Sequence, residues 1–193
     1  MRNKCICKDI FKFDELSEDV QGKVLDNMRE WDVYHEWWEF VYEDAKECGA
    51  IIGISVDNIY FSGFSSQGDG ACFEGSYVYR KGSVKEIKKH APQDEELHAI
   101  AEALYREQKQ HGYKLEANIK HRGRYYHSSS NDITVYFDGF DTYSTDIEEA
   151  LRRFMDWIYK RLEQEYKYLT SDEAVKETIE ANEYEFTVDG DIW

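Results

Sequence analysis

The chain has 193 residues, of which 40 are acidic and 24 are basic, so its formal net charge at pH 7 is −16. Such a charge repels phosphate backbones, and we therefore expect no direct binding to nucleic acid. The sequence contains no run of roughly 20 apolar residues and no apolar signal-peptide core at its N-terminus, so we expect a cytoplasmic protein without membrane contact.

The first two predicted elements are a strand and a helix. Residues 6–13, ICKDIFKF, alternate apolar with polar side chains, which is typical of a strand. Ser17 then offers an N-cap, and the acidic residues that follow it suit the positive end of a helix dipole. We expect this helix to run to about Arg29.

The second predicted helix carries a continuous apolar stripe. The members of the stripe recur at steps of four and three residues and should face the core: Tyr34, Trp38, Val41, Ala45 and Cys48. Gly49 follows the stripe directly, and glycine is favoured just past the end of a helix. We therefore predict that this helix ends at Gly49.

Two pairs of extended segments predict two β-hairpins. Residues 51–64 and 71–80 have a two-residue period and are separated by a glycine-rich loop. In the same way, residues 115–119 and 133–137 alternate apolar with polar side chains, which is typical of strands with one solvated face. Each pair should form antiparallel neighbours.

The remaining elements are helices and a C-terminal tail. Capping-box patterns at residues 83–86, 145–148 and 170–173 mark three helix starts. Another helix should follow Pro92 and end at Gly112. For the tail, EFTVDGDIW, two outcomes stay open: an edge strand or a loosely attached segment.

The order of these elements predicts an α+β fold. We expect a mostly antiparallel sheet, built from the two hairpins and covered by helices. A parallel sheet is disfavoured, because it needs crossovers that this order seldom supplies. The length predicts a single domain, residues 1–193, with the N-terminal strand and the C-terminal tail at its periphery.

The stretch YFSGFSSQGDGACFEG, residues 60–75, is the first candidate functional segment. It is not a phosphate-binding loop, because no Gly-Lys-Ser/Thr sequence closes it and a strand should follow it. Two interpretations stay open: a wide hairpin turn whose polar side chains satisfy local backbone groups, or a loop that contacts a partner. The candidate partner-binding residues are Phe64, Ser65, Ser66, Gln67, Asp69 and Glu74.

The second candidate is KHRGRYYH, residues 120–127, the one basic cluster that we recognise in this acidic chain. Arginine forks and aromatic rings are suited to an anion or a nucleotide. The candidate anion-binding residues are Lys120, His121, Arg122, Arg124, Tyr126 and His127. The alternative is that these side chains pair with acids on neighbouring strands.

A catalytic site is not indicated by any familiar motif. The sequence has no His-Glu-x-x-His, Gly-x-Ser-x-Gly or Cys-x-x-Cys pattern. A hydrolase stays a third alternative, because His121 and His127 would supply an acid or a base, together with Asp69 and Glu74, if the two hairpins lay side by side. We predict no catalytic residue, no metal and no cofactor.

The cysteines fit neither a zinc site nor a disulfide framework by their spacing. We expect four reduced thiols, at Cys5, Cys7, Cys48 and Cys72.

Four segments carry a resemblance to a known group of proteins: WWEFVYEDAKECGAIIGISVDNIYFSGFSSQGDGACFEGSYVYRKG, APQDEELHAIAEAL, IKHRGRYYH and YLTSDEAVKETIEANEYEFTVDG. From about residue 13 onwards the chain resembles small acidic proteins encoded by tailed phages and prophages, which carry the loose label "antitoxin of a toxin–antitoxin stability system". The resemblance implies a bacterial host cell as the setting. It supplies no catalytic residues.

The charge and the resemblance together predict a phage-derived inhibitor. We expect it to bind a basic host defence protein or toxin, with carboxylates in place of nucleic-acid phosphates. The alternative is a binder of an anionic nucleotide or signalling molecule through residues 120–127. The oligomeric state and the identity of the target are left open.

Overall fold

The computed structural model describes residues 9–193, within which the chain forms six α-helices and one five-stranded sheet. The helices are α1 (Glu18–Met28), α2 (Glu39–Ile52), α3 (Ser83–His90), α4 (Glu95–Gln110), α5 (Thr145–Leu169) and α6 (Asp172–Ala181). The strands are β1 (Ile54–Phe61), β2 (Ala71–Val78), β3 (Leu115–His121), β4 (Asn131–Phe137) and β5 (Phe140–Thr142). The predicted α+β fold is confirmed. Within residues 9–193, no helix has both the length and the apolar character needed to cross a bilayer.

The sheet is antiparallel throughout, with the strand order β1-β2-β3-β4-β5. The two predicted hairpins are β1–β2 and β3–β4, and four residue pairs from Gly75↔Ile119 to Val78↔Glu116 join them. Strand β5 was not predicted. It follows a tight turn in which Asp138 and Gly139 have φ values of 53° and 84°, and an Asp-Gly pair with positive φ is a strong hairpin signal.

The chain groups into two compact units, which we describe separately. The larger unit comprises residues 38–163 and contains the whole sheet. Along β3, Leu115, Ala117 and Ile119 are buried while the residues between them are exposed, so one face of the sheet is covered. The buried ring of Phe73 on β2 meets Phe154 of α5 edge to face, with centroids 5.7 Å apart.

The smaller unit comprises residues 9–37 and 164–193 of the described chain. Its core is formed by apolar side chains of α1, α6 and the segments beside them: Phe13, Leu16, Val24, Leu25, Met28, Val175, Ile179 and Phe186. Arg29 joins the two segments of this unit, residues 9–37 and 164–193. Its guanidinium donates to the Thr170 carbonyl at 2.8 Å and pairs with Asp172 at 2.8 Å. Helix α5 belongs to the larger unit up to Glu163 and to the smaller unit from Gln164.

The end of α2 differs from the prediction. Gly49 does not end the helix but lies inside it and is buried, while Gly53 forms the C-cap at a φ of 90°. A Cβ atom on Gly49 would lie 3.0 Å from the carbonyl oxygen of Ile54, so this glycine permits close packing of helix against strand. Tyr34 lies before the helix and is 87% exposed, so its place in the predicted stripe was wrong.

The predicted helix starts are displaced by one residue. The hydroxyl of Ser171, not Thr170, accepts the N–H of Ala174 at 3.2 Å, while the Thr170 hydroxyl donates to the preceding helix turn. In the same way, Ser144 caps α5 by accepting the N–H of Ile147 at 3.3 Å. Helix α3 has Gly82 as its N-cap and no side-chain cap, so the predicted capping box there was wrong.

The N-terminal strand prediction lies partly outside the described residues. In the part that is described, Phe11 forms only an isolated bridge with Phe186, and a short 3₁₀ turn follows at Phe13–Glu15. The tail is neither an edge strand of the sheet nor loose. It folds back on itself through a second bridge, from Phe186 to Ile192.

Gly75 provides a test of the packing at the β1–β2 bulge. A Cβ atom there would lie 1.9 Å from the carbonyl oxygen of Ser55, and a backbone atom cannot yield as a flexible side chain does. We expect Gly75→Ala to lower the free energy of unfolding by about 2 kcal/mol or more, measured by urea denaturation. Gly63→Ala is the control, because its Cβ would meet only the Asp69 side chain at 3.4 Å. Equal stability of the two variants would contradict this packing.

Candidate functional site

The two candidate loops of the sequence analysis meet at one end of the sheet. Loop 62–70 joins β1 to β2, and loop 122–130 joins β3 to β4. A Cβ atom on Gly70 would lie 2.5 Å from Cβ of His127, and one on Gly68 would lie 3.5 Å from the ring of Tyr125. We call these two loops the loop junction.

A carboxylate lies at the base of the loop junction. Glu74 accepts hydrogen bonds from the Tyr60 hydroxyl at 3.0 Å, from the Asn58 side chain at 3.3 Å and from the backbone N–H of His121 at 3.3 Å. The hydrogen bond from Tyr60 is the main reason why the pKa of Glu74 is lowered, and the same bond raises the pKa of Tyr60. Glu74 is therefore a satisfied, ionised acceptor that bridges β1, β2 and β3.

Three rings cluster beside this carboxylate. Tyr60 stacks on Tyr126 with centroids 5.5 Å apart and planes 17° apart, and His121 lies 5.5 Å from Tyr60 and 5.2 Å from Tyr126. The Nδ1 atom of His121 is also 3.6 Å from Sγ of Cys72.

A thiol and an imidazole at this distance are the groups that form the nucleophile and the base of a cysteine-dependent enzyme. The environment of the Cys72 thiol, however, does not suit a nucleophile. Cys72 is fully buried, and burial raises its pKa to about 12. A nucleophilic cysteine needs a lowered pKa and access for the substrate. The contact between Cys72 and His121 is therefore structural.

Loop 62–70 is held by its own side chains and by α5. The Asp69 carboxylate accepts the N–H groups of Ser65 at 3.0 Å and Ser66 at 2.7 Å, as a turn interpretation predicts. The ring of Phe64 stacks on Tyr159 with centroids 5.5 Å apart. Of the candidate partner-binding residues, Phe64, Asp69 and Glu74 thus have internal contacts.

Three of the partner-binding candidates remain exposed on the loop: Ser65, Ser66 and Gln67.

The basic cluster of residues 120–127 is divided by the fold. His121 and Tyr126 take part in the ring cluster, and the Nδ1 atom of His127 lies 2.6 Å from the Ser129 hydroxyl. Lys120, Arg122 and Arg124 are exposed. Arg122 pairs with Asp132 at 3.6 Å on the neighbouring strand, while Arg124 has no ion pair within residues 9–193. Anion binding by this cluster stays a prediction.

The acidic residues are distributed unevenly between the two units. Residues 1–37 and 164–193 contain 18 acids and 8 bases, a net charge of −10, whereas residues 38–163 contain 22 acids and 16 bases, a net charge of −6. Many exposed acids lie along α1, α6 and the segments beside them: Asp14, Glu15, Glu18, Asp19, Asp26, Asp172, Glu173, Glu177, Glu180, Glu183, Asp189 and Asp191. Two of these acids, Asp26 and Asp172, form ion pairs with Arg29.

One group of side chains has the donor atoms of a metal site. Asp44 and Cys48 lie one turn apart on α2, and with His90 at the end of α3 they bring three ligand atoms within 4.8 Å of one another. This donor set is of the kind that Zn²⁺ takes. Cys48 is 2% exposed and burial raises its pKa to about 12, so a metal would have to displace the thiol proton.

A second basic cluster was missed in the sequence. Segment 80–90, RKGSVKEIKKH, contains five lysine and arginine residues and one acid, so residues 120–127 are not the one basic cluster. Part of this segment lines a pocket with a volume of about 830 Å³, together with tyrosines from the end of β2, from α4 and from the α4–β3 connection. We call it the lysine–tyrosine pocket and define it by Tyr79, Lys81, Lys85, Lys88, Tyr105 and Tyr113.

Comparison with known proteins gives a family without a described activity. A family model described as a domain of unknown function, DUF8835, matches residues 37–172, which is well over half of the chain. The match includes the sheet, the loop junction and the lysine–tyrosine pocket, and it leaves out most of the acidic smaller unit. No curated protein and no solved structure matches the chain.

The buried thiols allow a direct test of the environment of Cys72. Because the pKa of Cys48 and of Cys72 is raised from 9.0 to about 12, the thiolate fraction at pH 8 should be about a thousandfold below that of a free cysteine. We expect iodoacetamide to leave both residues unmodified in the native protein and to modify both in urea, as measured by peptide mass spectrometry. Rapid native labelling of Cys72 that His121→Ala slows would reveal an activated pair.

The hydrogen bonds of Glu74 predict a pH-dependent contribution to stability. Because the pKa of Glu74 is lowered from 4.5 in the folded state, its contribution is present above that value and is lost as the pH falls through the folded-state pKa. We expect Glu74→Gln to destabilise the protein at pH 7, with a deficit that shrinks below about pH 4.5. Urea denaturation at pH 7 and below about pH 4.5 measures the loss of unfolding free energy in the variant. Glu116→Gln, at an exposed position on β3, is the control, and a deficit independent of pH would contradict the account.

Proposed function

We propose that this chain, which belongs to the DUF8835 family, is an acidic binding protein whose smaller unit engages a basic surface on another protein. The observation that carries the proposal is the concentration of charge, a net −10, in residues 1–37 and 164–193. A single-sign field of this kind attracts a cationic partner and speeds its encounter.

The surface of α6 supports this proposal at the level of single residues. Glu173, Glu177 and Glu180 are exposed and follow one another at steps of four and three, so they lie on one face of the helix. The opposite face carries the buried Val175 and Ile179. The only hydrogen bond to these three carboxylates within residues 9–193 is a long one, 3.4 Å, from Tyr168 to Glu177.

Carboxylates at this density substitute for nucleic-acid phosphates, which is the chemistry of an inhibitor that occupies a nucleic-acid-binding groove. The resemblance to phage and prophage proteins gives this chemistry a setting in a bacterial cell, where the target would be a basic defence protein or toxin of the host. The acidic character of the chain is the reason for proposing a protein partner over a nucleic acid.

Affinity capture followed by a salt titration tests the proposal. The full-length chain is used to capture proteins from a bacterial lysate, and the affinity of the purified pair is measured by biolayer interferometry. We expect a partner with a basic surface whose affinity falls at least about tenfold between roughly 50 and 200 mM salt, because exposed charges are screened.

Matched charge variants locate the interface. The triple variant E173Q/E177Q/E180Q should weaken the captured complex at least about tenfold, because neutral side chains no longer attract the basic surface. The variant E43Q/E116Q/E149Q changes the net charge by the same amount at exposed positions of the larger unit, and it should have little effect. Equal losses in both variants, or an affinity that salt does not change, would contradict the proposal.

A further inference from the structure

We propose that the lysine–tyrosine pocket binds a nucleoside phosphate, with the base stacked on the tyrosine rings and the phosphate held by the lysines. This site belongs to the larger unit and goes beyond the proposed function of the smaller one. Its volume of about 830 Å³ lies within the range of small-molecule sites, roughly 300–1,000 Å³.

Three tyrosines from separate parts of the chain form the aromatic side of the pocket. Tyr79 follows β2, Tyr105 lies on α4 and Tyr113 precedes β3. The rings of Tyr79 and Tyr113 are 4.6 Å apart at their centroids, and those of Tyr105 and Tyr113 are 6.3 Å apart. Tyr105 and Tyr113 remain 38% and 41% exposed, so part of this ring surface is open to a ligand. Stacking on such rings is the usual way in which proteins hold a flat base.

Tyr113 has an unusual backbone conformation. Its φ of 64° lies in the left-handed region, which a bulky residue rarely adopts, and such strain recurs at ligand sites. A hydrogen bond with Tyr105 is the main reason why the pKa of Tyr113 is raised.

The cationic side of the pocket comes from the start of α3. Lys81 and Lys85 are exposed and have no ion pair within residues 9–193, whereas Lys88 pairs with Glu102 at 2.5 Å. Glu86, the one acid of segment 80–90, is engaged by Arg80 at 3.0 Å. Two lysines thus keep their charge available for a phosphate, in a chain whose net charge is −16.

The Ser83 hydroxyl adds a donor group to the cationic side, since Ser83 lines the pocket and is only 6% exposed. The backbone of the α3 N-terminus is largely engaged: the N–H of Ser83 donates to the Arg80 carbonyl at 3.3 Å, and the N–H of Lys85 donates to the Gly82 carbonyl at 3.0 Å. A phosphate in the pocket would therefore be held chiefly by Lys81 and Lys85.

The combination of donors and rings selects the ligand class. A free inorganic anion would use the lysines and leave the rings unused, and an uncharged aromatic molecule would leave the lysines unused. A nucleoside phosphate uses both. The acidity of the rest of the chain disfavours a long polyanion at the same place, so we infer a free nucleotide and not an oligonucleotide.

Isothermal titration calorimetry on the full-length chain tests the site with AMP, ADP, GMP and GDP. Adenosine, guanosine and inorganic phosphate serve as half-ligands, and each should bind at least about tenfold more weakly than the matching nucleotide. The variant K81Q/K85Q should weaken nucleotide binding at least about tenfold, and Y105A should weaken the binding of both the nucleotide and the nucleoside. Thermal denaturation verifies that the variants are folded.

Matched controls locate the binding in the pocket. The variant K46Q/K160Q removes two exposed lysines elsewhere in the larger unit, and Y143A removes a tyrosine that is 78% exposed; both should bind as the wild type does. The proposal is overturned if none of the four nucleotides binds at about 1 mM, if the controls lose as much affinity as the pocket variants, or if phosphate alone binds as tightly as a nucleotide. Preference for a single-stranded oligonucleotide would overturn it as well. E173Q/E177Q/E180Q should bind nucleotides normally, so failure of the proposed function is distinguishable from failure of this site.

Discussion

Repulsion between like charges is the constraint on which the account of this protein depends. If the net charge of −16 were spread evenly, the whole surface would repel anions. Residues 1–37 and 164–193, however, carry −10 of this charge. The larger unit carries the remaining −6 over almost twice as many residues, and segment 80–90 within it is locally basic. In the functions that we propose, the smaller unit presents carboxylates to a basic partner and the larger unit presents lysines to an anionic ligand.

The sheet separates the features of the larger unit in space. Strand β2 begins at the loop junction and ends at Val78, and Tyr79 of the lysine–tyrosine pocket follows it directly. At the first end, Glu74 and the rings of Tyr60, His121 and Tyr126 join the strands by internal contacts, and these side chains have little capacity left for a ligand. At the other end, the rings and lysines are exposed and only partly engaged. One end of β2 therefore lies among side chains that contact one another, and the other end lies beside exposed rings and lysines.

Local patterns predicted most of the fold. The two-residue period identified both hairpins, and the capping residues located the helix starts to within one position. Strand β5 was missed because three residues are too few to show a period, although Asp138-Gly139 marked its turn. Gly49 was misinterpreted because a glycine needed for close packing and a glycine that ends a helix look alike in a sequence. The candidate sites were harder to predict from the sequence. The loop junction depends on the pairing of β2 with β3, and only the tertiary fold brings Tyr79, Tyr105 and Tyr113 together. The basic segment 80–90, by contrast, was visible in the sequence.

Zero-length cross-linking of the captured complex would show which unit of this chain contacts the partner. A carbodiimide joins carboxylates of this chain to lysines of its partner, and peptide mass spectrometry locates the joined residues. We expect cross-links concentrated on the acids of α1 and α6, with few on residues 38–163. Cross-links spread evenly over both units, or concentrated on the larger one, would contradict the claim that the charge of the smaller unit is what the partner recognises.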